Sequence, residues 1–203
     1  MSTTGRLRIA SACALLIVGL GSAPSAMAHT GTGLPGGLVS GFSHPFVGLD
    51  HLLAMVAVGL WGARLGRPLI YALPVIFPAV MVVGAVVGMV GVPVPPVEIV
   101  VALSVLVLGG CIAFSVKAPV WAASVIVATF AVFHGYAHGK ELPSAADPVS
   151  YSAGFVLATG LLHISGISLG FLNDKPHGVV ATRSVGGIIA ALGAWFLYQA
   201  IGI

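Results

Sequence analysis

The chain has 203 residues, 58% of them hydrophobic and only 6% charged, with a mean hydropathy of +1.11. A soluble domain of this length would be about a quarter charged, so the composition excludes one and predicts an all-α, polytopic membrane protein. The formal net charge of +3 gives no case for a nucleic-acid partner, since two of the positive charges sit at Arg6 and Arg8 in a leader-like segment.

That segment comes first in chain order. Arg6 and Arg8 precede an apolar stretch from Ile9 to Leu20, and Ala26-Met27-Ala28 follows. A basic start, a short apolar centre and an Ala-x-Ala site predict a secretory signal peptide over 1–28. The apolar centre is short of the ~20 residues a spanning helix needs. Cleavage after Ala28 would leave 29–203 as one membrane unit beginning at His29, where an α-amino group beside an imidazole can chelate a divalent metal. The alternative is an uncleaved extra helix. Cys13 would leave with the leader, and Cys111 alone cannot form an intramolecular disulfide.

Six apolar segments follow, at about 42–63, 69–91, 97–116, 119–139, 149–172 and 183–202, each long enough to cross a bilayer. Turn-rich breaks at Arg64–Pro68, Val92–Pro96, Lys117–Pro119, Leu142–Pro148 and Asn173–Pro176 separate them. With the mature N-terminus outside, Arg64, Arg67, Lys117, Lys175 and Arg183 fall on the cytoplasmic side, and Lys140 alone falls outside. That asymmetry obeys the positive-inside rule and agrees with the leader. It predicts a multi-pass protein of the bacterial cytoplasmic (inner) membrane with a periplasmic N-terminus. Gly84-x-x-x-Gly88 and Gly135-x-x-x-Gly139 have the spacing that lets helices approach closely in lipid.

Two polar clusters interrupt the apolar runs. His44, Asp50 and His51 lie at the start of the first segment, and His134, His138 and Glu141 at the end of the fourth. Polar groups are costly in a bilayer, so a chain that keeps them there is using them. On a helix His134 and His138 are one turn apart, with Glu141 on the same stripe. In one continuous helix His44 and His51 would also share a face, with Asp50 turned aside by about 100°, either ligating through a bend or orienting a histidine. Pro45 suits a first helical position. Imidazole and carboxylate ligands fit borderline divalent ions such as nickel, cobalt and zinc better than magnesium or calcium. Acid weakens such sites, because imidazole binds metal only when neutral. Met55 and the intramembrane His163 read as packing residues, with a proton or ion relay as the alternative for His163. His177 reads as a solvated loop residue.

The two clusters carry a family resemblance. His44, Pro45, Gly48, Asp50, His51, Met55 and Gly59 fit the pattern H-P-x-x-G-x-D-H-x-x-x-M-x-x-x-G without departure. Phe133, His134, Gly135, Ala137, His138, Gly139 and Glu141 complete F-H-G-x-A-H-G-x-E. On these motifs the chain resembles the HupE/UreJ family of bacterial metal permeases. The resemblance implies non-ATP uptake of a divalent transition metal, nickel or cobalt, as substrate; zinc and copper accept the same ligands. It implies metal capture by His29, His44, Asp50, His51, His134, His138 and Glu141, and no enzymatic role. The partners are then the ion and the lipid bilayer, with a homo-oligomer left open. No G-x-x-x-x-G-K-[ST] nucleotide loop occurs. The rival readings are an intramembrane zinc hydrolase, with Ser40 near His44, and a metal-binding or sensing membrane protein that does not transport.

Overall fold

The computed structural model describes residues 37–94, 96–141 and 147–202. The predicted leader over 1–28 and His29 lie outside them. Among the described residues every regular element is helical: α1 Leu38–Val47, α2 Leu49–Leu65, α3 Leu69–Val90, α4 Val97–Ala113, α5 Val120–Glu141, α6 Pro148–Gly170, a 3-10 turn Phe171–Asp174, and α7 Gly178–Ile201.

The chain marks the helix ends by local chemistry. Gly66 (φ 77°) and Gly91 (φ 78°) take backbone conformations that side chains disfavour, and close α2 and α3. Pro148 opens α6 behind Asp147, whose carboxylate accepts the Ser150 N–H at 3.1 Å.

Among the described residues four helices (α3, α5, α6 with its 3-10 extension, and α7) are long and apolar enough to cross a membrane, and a fifth crossing is formed if α1 and α2 count as one broken span. The first predicted segment, 42–63, is therefore corrected. It starts earlier and bends by 86° at Gly48, whose extended backbone (φ −81°, ψ 101°) interrupts the helix. Pro45 sits inside α1 instead of opening a helix. The segment expected at 97–116 ends at Ala113 because Ser115 turns to positive φ (56°). Its 17 residues fall below the spanning length of the others. The last helix begins at Gly178, not 183, behind His177 at φ 62°.

Helix α2 is the centre of the bundle. Ala54, Met55 and the run from Ala57 to Gly62 are all buried, as expected of a helix enclosed on every side. Around it α6 runs parallel, with Gly59 against the His163 backbone and Gly166 against Val56. Helices α3 and α5 also run parallel, and the two small-residue motifs are what join them. A β-carbon at Gly135 would overlap the Met81 carbonyl oxygen, and one at Gly139 that of Ala85; Gly84 and Gly88 meet Val132 and Tyr136 in return. Helices α4 and α7 pair antiparallel through Gly109, Gly186 and Gly193. The outward faces stay apolar, with Val149, Val180 and Ile188 exposed, and Trp121, Trp195 and Tyr198 lie toward helix ends, as aromatic side chains do at membrane interfaces.

Candidate metal site

The bend at Gly48 gives the site its shape. In a straight helix His44 and His51 would be separated by about 10 Å along the axis. Turning α1 across α2 instead lets both histidines reach the same helix, α5. The His138 ring lies 4.9 Å from that of His44 and 4.4 Å from that of His51, centroid to centroid, and His51 lies 4.6 Å from His134. The four imidazoles form a continuous edge-to-face series: His44, His138, His51, His134. All four are buried, at 9% exposure or less. His134 and His138 share a face because α5 persists through Gly139 to Glu141, and Gly139 is tolerated because it packs against Ala85. Glu141 is the last residue of that helix; its side chain lies outside the described residues.

Two of the rings are held by hydrogen bonds that fix which nitrogen carries the proton. Asp50 Oδ1 accepts from the His51 ring Nδ1 at 2.9 Å and from the His51 backbone N–H at 2.8 Å. Asp50 thus holds the His51 ring and leaves Nε2 as the basic nitrogen. Ser104 on α4 does the same for His134. Its hydroxyl donates to the Val101 carbonyl at 2.6 Å, so its oxygen accepts from His134 Nε2–H at 2.9 Å. The basic nitrogen of His134 is then Nδ1.

Aromatic side chains enclose the series. Phe155 lies 4.3 Å from His138, Tyr151 5.9 Å from His44, and Phe77 5.4 Å from His134. A groove of about 370 Å³, its open mouth included, reaches His138 between α3, α5 and α6, past Met81, Ala85, Tyr151 and Phe155. Among the described residues no three His, Cys, Asp or Glu side chains are arranged to hold one ion. The imidazoles are gathered but not converged, and a shared ion would need rings to rotate toward one point.

Sequence reasoning missed Ser104, Phe77, Tyr151 and Phe155. Ser104 had a faint signal, as a polar residue in the middle of an apolar segment. Met55 is fully buried in the apolar core, as its packing reading expected. His163 is also fully buried, with its ring turned to the backbone carbonyl of Pro74.

Long apolar helices with imidazoles gathered at a broken helix define a multi-helix membrane protein with a buried histidine cluster. The chain belongs to the HupE/UreJ family: it matches the family described as HupE / UreJ protein over residues 15–196. Protein HupE of Rhizobium leguminosarum bv. viciae is 44% identical to it over 172 residues, covering 84% of this chain and 90% of the relative. No solved structure matches.

Proposed function

We propose that this protein is a permease of the bacterial cytoplasmic membrane, with the 17-residue α4 as a short sixth span, that takes up a divalent transition metal, nickel or cobalt, without ATP. The observation that carries the proposal is the gathering of His44, His51, His134 and His138 from three helices, with His51 and His134 each fixed by a hydrogen-bond partner. Imidazole nitrogens in an apolar surround suit borderline ions. Glu141, at the end of the same helix, and His29, at the mature N-terminus, complete the donor set on the periplasmic side. Asp50 supplies negative charge beside the imidazoles and orients one of them.

Gathered but unconverged rings suit a transporter. An ion held too firmly would not move on, so binding must be strong enough to admit it and weak enough to release it. A closed four-ligand cage would instead be the mark of a structural site.

Metal accumulation by cells expressing the full chain tests this reading. Radiolabelled nickel is offered alone and against cobalt, zinc and copper, with and without a proton uncoupler. His134→Ala or Asp50→Ala should abolish accumulation while the protein remains in the membrane. Wild-type accumulation by the double variant contradicts the proposal. A protein that only binds or senses the metal would retain it in purified form yet give no uptake.

A further inference from the structure

Beyond the histidine series, on the side away from α1, lies a second set of buried polar groups. The Phe77 ring touches His134 at 5.4 Å on one side and His163 at 5.5 Å on the other. His163 has no exposed surface. Thr159 is one turn earlier on the same face of α6, equally buried, and its hydroxyl is without a hydrogen bond. The His163 ring meets the backbone carbonyl of Pro74, to which one ring N–H can donate, and the opposite ring nitrogen has no hydrogen bond. That carbonyl has lost its helical donor, because the residue four positions on is Pro78, which has no N–H.

The Pro74 carbonyl accounts for one nitrogen of His163; the other nitrogen and the Thr159 hydroxyl, enclosed by apolar side chains, have no hydrogen bond to explain them. Buried polar groups are almost always hydrogen-bonded, and an apolar side chain would fill this space at lower cost. Depth along the bundle adds to the case. His163 packs against Gly59, which is eight residues and so about 12 Å further along α2 than His51.

We propose that His163, with Thr159 and the Pro74 carbonyl, is a second and transient station for a divalent transition-metal ion, reached from His134 past Phe77. The proposal rests on the permease reading and deepens it. One nitrogen and two neutral oxygens make a weaker site than the gathered imidazoles, and a weaker second site lets an ion leave the first.

Two measurements on the full-length protein test it. In the first, His163→Gln in reconstituted vesicles should lower the maximal nickel transport rate by about tenfold or more, while nickel affinity of the purified protein stays within about twofold. In the second, His163→Cys is built with Cys13→Ala and Cys111→Ala, and cadmium is added to the detergent-solubilised protein. A thiolate-to-cadmium charge-transfer band should appear, since cysteine can replace histidine as a ligand. A His163→Gln protein that transports within about twofold of wild type overturns the proposal. So does a His163→Cys protein that gives no cadmium band. If the wild-type protein moves no metal in the same vesicles, the permease reading fails, and the cadmium band still decides whether His163 is a cation site.

Discussion

Asp50 and Ser104 perform one task on two different histidines. Each takes the N–H from one side of an imidazole and leaves the opposite nitrogen basic. Replacing such an orienting group typically lowers metal affinity by about 10- to 100-fold. Asp50→Asn should therefore weaken nickel binding by that factor, as read by competition with a metal indicator. Ser104→Ala should do less to affinity, because no charge is lost. It leaves the His134 N–H buried without its acceptor, and thermal unfolding should show a destabilisation of about 1–3 kcal/mol. Equal affinity in wild type and Asp50→Asn would remove the carboxylate from the account. The serine was not legible as a site residue, because an isolated serine in an apolar helix usually bonds its own backbone. Ser104 does that with Val101 and holds His134 as well.

At the scale of elements, helical spacing alone placed His134 and His138 together, because α5 runs straight through both. The same reasoning put His44 and His51 on one face of one helix, and there it failed. Apolar residues resume on both sides of the polar cluster around Gly48, so the pattern still reads as one segment and does not report an 86° bend. Proline at 45 and glycine at 48 were the available hints, and proline was read as a helix opener. The paired small-residue motifs of α3 and α5 were visible in the sequence, but not that they pack on each other. That contact makes a sharp prediction. Gly135→Ala would drive a methyl group into the Met81 carbonyl and should lower the melting temperature markedly, with a cost of about 1–3 kcal/mol for overpacking. Gly187→Ala meets open space inside α7 and should leave stability unchanged or raise it by up to about 1 kcal/mol. Thermal unfolding of the two detergent-purified variants should therefore move in different directions; equal shifts would argue against the close α3–α5 contact.

For the whole molecule, the helix pairing has an order of its own. With the broken α1–α2 pair taken as one unit, the chain divides into two sets of three. The first unit then pairs with the fifth, the second with the fourth, and the third with the sixth. Exchanging the two sets returns the same pairs, the arrangement expected of inverted repeats, although the sequence showed no similarity between the halves. The end opposite the histidines is held by polar ties: Arg64 donates to Thr182 at 2.9 Å and to Ser115, and Arg183 donates to the Ala113 carbonyl at 2.8 Å. The positive-inside rule predicts that this end faces the cytoplasm. Cysteine labelling tests the orientation in a chain lacking Cys13 and Cys111. A membrane-impermeant thiol reagent should label Asp147→Cys in spheroplasts and Lys117→Cys only after permeabilisation; the reverse pattern inverts the topology.

The central claim is that the gathered imidazoles carry a metal ion across the membrane. Its most direct test is the initial rate of radiolabelled nickel uptake into vesicles containing only the full-length protein, beside His51→Ala/His134→Ala. Uptake by the wild-type protein should be saturable, and the double variant should be no faster than protein-free vesicles. Wild-type vesicles that take up nickel no faster than empty ones, or a double variant as fast as wild type, would contradict it.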